Sequence, residues 1–158
     1  MIFHILNFFR GKSGTKSLVC GGSILSSDTI LTAAHCDINV HEEHVAVVGD
    51  HDLTKNDGNE QRIPILDFIP HPEYGISTVD DNDFGIVKLA EPIKFTDYVG
   101  TICLPYGEKN YDNVTAKVSG WGRIHDDGPR SNVLQQVKEV FMEFWIRPCL
   151  CLCRSRNF

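Results

Sequence analysis

Apolar and β-branched residues in this chain come in short runs, each cut off by Gly, Pro, Asn or Asp. Residues 2–9, 23–32, 45–48, 62–69, 85–89 and 116–118 have this character, which is that of β-strands rather than helices. The breaks carry turn chemistry, at Asp57-Gly58-Asn59, Pro70-His71-Pro72, Asp80-Asp81-Asn82 and Asp126-Asp127-Gly128-Pro129. No stretch of ten or more residues keeps a helical period, and a single turn is expected at Ala33-Ala34-His35-Cys36. Regularly spaced short strands predict an all-β antiparallel sandwich or barrel. There is no internal repeat and no low-complexity tract.

Two stretches read as joints. Residues 91–105, with Pro92, Cys103 and Pro105, connect two β units. From Arg147 the character changes, and Pro148-Cys149-Leu150-Cys151-Leu152-Cys153-Arg154-Ser155-Arg156 resembles nothing upstream. Three thiolates at two-residue spacing suit a soft metal such as zinc or copper(I). No His or fourth Cys completes a tetrahedral set nearby, so the run is read as a splicing or reading-frame feature. The expected organisation is residues 1–146 as one unit and 147–158 as a divergent tail.

Composition narrows the function classes. Over 158 residues, apolar types make up 42% and charged types 23%, enough to bury a core. The net charge of −6 gives neither a nucleic-acid footprint nor an anionic-membrane surface. No apolar run approaches the roughly 18 residues of a membrane-spanning helix. Six cysteines point to an oxidising compartment. Yet the apolar start lacks the basic flank and small-residue cleavage site of a secretory signal, so no signal peptide is read in this chain. The expectation is a chain whose true beginning lies further upstream.

Four motifs follow in order: Cys20-Gly21-Gly22-Ser23-Ile24-Leu25, Leu31-Thr32-Ala33-Ala34-His35-Cys36, Asp81-Asn82-Asp83-Phe84-Gly85-Ile86-Val87-Lys88-Leu89 and Ser119-Gly120-Trp121-Gly122. Together they resemble the trypsin/chymotrypsin-like serine endopeptidases over roughly residues 2–140. The resemblance implies a double β-barrel, with the first barrel at about residues 2–95 and the linker and start of the second at 96–146. It implies that His35 is the catalytic histidine and Asp83 the triad aspartate. Chemistry suits both: imidazole takes and returns a proton near neutral pH, and a carboxylate on its other nitrogen fixes the tautomer. Asp80 and Asp81 compete for the second role, but only Asp83 leads into a strand that buries it. The resemblance further implies a Cys20–Cys36 disulfide. It places Cys103 where many relatives link to an upstream segment, and it implies an extracellular protein acting on proteins or peptides in protease cascades.

The triad chemistry requires no cofactor, but one metal is implied. The run Gly49 to Gln61 resembles the calcium loop of vertebrate trypsins without gaps. Asp50, Asp57 and Glu60 would give carboxylates, and Asp52 and Lys55 backbone carbonyls, to a hard cation. Asp50 and Asp57 stand where those trypsins have Glu, and the same residues equally make an acidic solvated hairpin. His41-Glu42-Glu43-His44 lacks the spacing of a metalloprotease helix, and Gly11-Lys12-Ser13 lacks the upstream glycine of a phosphate loop. Asn113-Val114-Thr115 is a glycosylation acceptor in a secreted chain.

A triad peptidase also needs a serine nucleophile and oxyanion donors. In the family both come from Gly-Asp-Ser-Gly-Gly, which these 158 residues do not contain. After Ser131 the only serine is Ser155, between Arg154 and Arg156. The specificity pocket belongs to the same segment, and barrel enzymes of this kind run to roughly 200–250 residues. The expectation is a serine endopeptidase chain with its second barrel truncated, inert by itself. The alternative is a genuine short product that binds without cutting, as a decoy in a protease cascade.

Overall fold

The computed structural model describes residues 5–10, 17–36, 38, 44–79, 81–104, 115–125 and 127–140. Strands dominate, as the residue pattern predicts. Six of them, β1 (Ile5–Arg10), β2 (Ser17–Ile24), β3 (Thr29–Thr32), β4 (His44–Val48), β5 (Gln61–Pro70) and β6 (Gly85–Leu89), close an antiparallel barrel in the order β1-β2-β3-β6-β5-β4. Closure removes the open strand edges that would otherwise invite pairing with other chains.

The period-2 pattern sets which side chains fill the barrel. Ile30 and Thr32 of β3 and Val87 and Leu89 of β6 are buried, with the residues between them half exposed. Ile30 sits opposite Ile24 on one side and Val87 on the other, and all three are fully buried. Leu6, Ala46, Val48 and Ile63 continue the same cluster across β1, β4 and β5, and Ile93 and Val99 belong to it as well. A methyl deleted here leaves a cavity that neighbours only partly collapse into.

Two sequence expectations are corrected. The apolar run over 23–32 is not one strand but the end of β2, a turn and β3. Ser26, Ser27 and Asp28 supply that turn without Gly or Pro: Asp28 Oδ1 accepts from Ser26 Oγ and Thr29 Oγ1, both at 2.7 Å, and Leu25 N–H donates to the Thr29 carbonyl at 2.9 Å. Short polar side chains that bond their own backbone region compete with strand formation. Beyond the barrel, β7 (Thr115–Gly120) pairs with β8 (Gln135–Val140) as a two-stranded sheet. The second of these strands was not expected, because Gln135-Gln136-Val137-Lys138-Glu139-Val140 is mostly polar.

The second sheet is tied to the barrel through one loop. His51 O accepts from Leu134 N–H at 2.8 Å and from the buried Trp121 indole at 3.1 Å, and Leu53 N–H donates to Asn132 O at 2.9 Å. Gly49 starts this loop at φ +77°, and a Cβ there would lie 2.4 Å from the Asn59 carbonyl oxygen. The blocking atom is backbone and cannot swing aside, and Val99 Cγ2 would stand at 3.0 Å as well. Gly49→Ala is therefore expected to cost at least about 1–3 kcal/mol, read as a lower urea midpoint at unchanged slope; an unshifted midpoint contradicts it.

Among the described residues the only helical piece is one 3₁₀ turn, Ala34–Cys36, where the sequence predicts a turn. Among the described residues no helix is long and apolar enough to cross a membrane.

Candidate active site

The register between β3 and β6 sets the central geometry. Thr32 lies opposite Gly85. Two residues past Thr32 is Ala34 and two before Gly85 is Asp83, so the ends of the two strands bring Asp83 across from the His35 turn. The His35 backbone N–H donates to Asp83 Oδ1 at 2.8 Å, and His35 Nδ1 lies 2.7 Å from Asp83 Oδ2. A carboxylate only accepts, so the proton of this bond sits on Nδ1 and leaves Nε2 as a lone-pair base. The imidazole side chain is 60% exposed and the carboxylate 23%: the base faces outward and its orienting partner lies behind it. Of the three candidate aspartates it is Asp83 that meets the histidine; Asp80 lies outside the described residues.

Three supports hold this pair. The Cys20–Cys36 disulfide joins β2 to the 3₁₀ turn, as the family resemblance implies. Thr32, buried at 6% exposure, donates its hydroxyl to the Gly21 carbonyl at 2.8 Å and lies 3.5 Å from Cys36 Sγ. Asn82 adopts φ +53°, a conformation Asn tolerates better than most residues, and its side-chain amide donates to Glu73 O at 3.2 Å. Thr32 and Asn82 are structural supports of the pair that the sequence reading missed. Both lie inside the quoted motifs, Asn82 next to Asp83 and Thr32 three residues before His35.

Burial at the barrel mouth raises the Asp83 carboxyl, as the largest single influence. The side-chain and backbone hydrogen bonds from His35, its charge and the Ala34 backbone together outweigh burial and hold the group below its ordinary value of 3.8. A depressed carboxyl stabilises the fold above its unfolded value, and that contribution is lost as pH falls through the folded one. The Asp83 Cγ NMR signal is accordingly expected to titrate below 3.8 and to move upward in His35→Ala; a midpoint unmoved by that change contradicts the pairing.

Beside the histidine turn lies an open cavity of about 460 Å³, lined from the barrel by Cys20, Gly21, Leu31 and Ala33 and from the second sheet by Gly120 and Trp121.

The acidic loop is arranged differently from a calcium cage. The ligand atoms of Asp50, Asp57 and Glu60 do not gather as a group of three within 4.8 Å among the described residues; the one gathered group, Cys20, His35 and Cys36, has its sulfurs joined in the disulfide. Glu60 instead accepts from the backbone N–H groups of Asp57 at 2.6 Å and Gly58 at 2.9 Å. Asp57 Oδ1 lies 3.2 Å from the Lys55 ammonium, which also stands 3.7 Å from Asp52 Oδ2. The Asp52 carbonyl accepts from Lys55 N–H at 3.1 Å. Asp50 is 5% exposed with its Oδ1 unpartnered; burial raises its carboxyl, Glu60, Asp57 and Asp52 add to the rise, and Arg62 opposes it. As placed, these residues do not fit a divalent ion.

Cys103 lies exposed on the connecting segment. Asn113, Ser155 and the cysteines Cys149, Cys151 and Cys153 lie outside the described residues.

The chain is similar to known proteins of one family. The family model described as Trypsin matches residues 6–143. The chain is 40% identical over 125 residues to the venom serine protease Bi-VSP of Bombus ignitus, a match covering 75% of this chain and 34% of that protein. It is 34% identical over 156 residues to duodenase-1 of Bos taurus, covering 96% of this chain and 57% of that protein. A solved structure described as "Structure of GrC" superimposes with a TM-score of 0.72 at 29% identity, over 85% of this chain and 58% of that one. The chain thus spans from about a third to little more than half the length of these relatives.

Proposed function

The chain belongs to the trypsin family of serine peptidases, and from that premise we propose that His35 and Asp83 are the base and the orienting carboxylate of a serine-type endopeptidase. The observation that carries the reading is the 2.7 Å contact between His35 Nδ1 and Asp83 Oδ2 behind an outward-facing ring. In that arrangement Nε2 takes the proton of an attacking serine hydroxyl and returns it to the leaving amine. Asp83 stabilises the imidazolium formed in between, and the depressed carboxyl keeps it ionised throughout the working range.

Residues 1–146 are then part of a peptidase domain, and 147–158 lie outside it. The serine and the oxyanion donors are supplied by no motif within the 158 residues, so these residues alone hydrolyse no peptide. The substrates are proteins or peptides, and the setting is extracellular. The disulfide supports that setting, as does the relative named as a venom serine protease.

A chimera tests the assignment: these residues joined to the C-terminal half of a trypsin-family relative carrying Gly-Asp-Ser-Gly-Gly. The folded chimera is expected to label with a fluorophosphonate on that serine, and His35→Ala to abolish labelling. A folded chimera that labels equally well without His35 overturns the assignment.

A further inference from the structure

We infer that His71 is a positioning residue for the Asp83 carboxylate: its neutral imidazole holds the neck of the loop that carries Asp83, and a proton on that ring releases the hold. The inference takes the role of Asp83 from the peptidase reading and nothing else.

Residues 71–84 connect β5 to β6, and His71 and Phe84 extend the pairing of those strands one step beyond Pro70 and Gly85. The His71 backbone N–H donates to the Phe84 carbonyl at 2.9 Å, and the two rings lie 4.4 Å apart, tilted by 55°. Pro72 has no N–H, so the first free donor of the turn belongs to Glu73, and it donates to His71 Nδ1 at 3.2 Å. An N–H meeting Nδ1 requires a lone pair there, which is the neutral ring with its proton on Nε2. The Glu73 carbonyl in turn accepts from the Asn82 side-chain amide at 3.2 Å, and the Asn82 carbonyl accepts from the Phe84 N–H at 2.7 Å. Asp83 thus stands between two residues, Asn82 and Phe84, that are both tied to the His71–Glu73 turn.

Protonation reverses one of these contacts. In the imidazolium both ring nitrogens donate, so Nδ1–H would face the Glu73 N–H, donor against donor. Imidazole is the side chain that ordinarily changes charge between about pH 5 and 8. The charged groups on the elements that meet at this neck are Glu73, Asp81 and Asp83 of the loop, Arg62 and Asp67 of β5 and Lys88 of β6, with Tyr74 the remaining titratable side chain. Counting Asp80, residues 71–84 contain four acids and neither Lys nor Arg, so a charged His71 would be the only cation among them. Asn82 holds φ +53°, a conformation that persists only where its surroundings enforce it. Once the ring turns away from Glu73, the hold on Asn82 slackens, and with it the seat of Asp83 against His35.

A pH titration of the full 158-residue chain by NMR decides the matter, following the His71 ring, the Glu73 amide and the Asn82 side-chain amide. In the wild type both amides are expected to shift with the midpoint of the His71 ring itself. Protection of the Glu73 amide, corrected for intrinsic exchange, should fall about three- to tenfold across that step, as the loss of one hydrogen bond implies. His71→Asn keeps an acceptor near the place of Nδ1 but takes no proton, and should remove the step. His71→Phe keeps a ring against Phe84 but no acceptor, and should leave Glu73 unprotected at every pH. The proton between His35 Nδ1 and Asp83 reads the positioning itself: at pH 8 it should exchange faster in His71→Phe than in His71→Asn. Wild-type amides at Glu73 and Asn82 that ignore the His71 titration overturn the inference, with no variant needed. So does a His35 Nδ1 proton equally protected in the two variants. A failed peptidase assignment would leave every one of these signals as expected, so the two failures are distinguishable.

Discussion

Replacing Cys20 and Cys36 together by alanine is expected to lower the melting temperature of the chain by about 6–12 °C. The disulfide closes a loop of 16 positions, and chain-entropy reasoning gives a loop of that size roughly 3 kcal/mol. For a chain of this length each kcal/mol corresponds to about 2–4 °C. The loss is large because marginal stability leaves little margin. It is local as well as global, since the bridge ties β2 directly to the turn that carries His35. The Thr32 hydroxyl on the Gly21 carbonyl, which ties β2 to the end of β3, survives the change. The Asp83 carboxyl should accordingly titrate closer to its ordinary value as the histidine turn loosens. Calorimetry of the oxidised and the double-alanine chains checks the first expectation; coincident melting temperatures contradict it.

The largest kinetic effect belongs to the chimera carrying a serine motif. There His35→Ala is expected to lower kcat by about 10⁶-fold, and Asp83→Asn by about 10⁴-fold, the sizes such triads show. The asymmetry follows from geometry. His35 exchanges the proton itself, whereas Asp83 only holds Nδ1 in its protonated tautomer, and asparagine presents the wrong group there. KM should change little, because neither side chain is placed to bind the ground-state peptide. A fall in kcat/KM arising wholly from KM would contradict the assigned roles.

Much of this was legible in the sequence because the chemistry sits where strand pattern and motif coincide. Asp83 was separable from its neighbours Asp80 and Asp81 because a strand with alternate buried positions, Gly85–Leu89, follows it, and the structure pairs that strand with β3 in the register that delivers the carboxylate to His35. The all-β class was legible from short apolar runs, and the barrel closes through them. What escaped were features that spacing does not encode. The turn at residues 25–28 lies within an apolar run and uses Ser26 and Asp28 rather than Gly or Pro. The strand β8 is polar because much of it faces solvent, with Val137 itself 49% exposed. Loop spacing suggested a calcium cage, but the direction of the Lys55 side chain and the turning of Glu60 onto backbone amides are tertiary facts. Asn82 and Thr32 were in plain view, but their roles depend on a positive φ and a cross-strand carbonyl that only the fold supplies.

The central claim is that these residues keep a proton-transfer pair without the hydroxyl it serves. The most direct measurement is hydrolysis of an activated ester and a peptide amide by the purified 158-residue chain, beside the same chain carrying His35→Ala. The account predicts that both match the buffer rate and that neither reacts with a fluorophosphonate. Turnover above buffer by the unaltered chain that disappears with His35→Ala would contradict it.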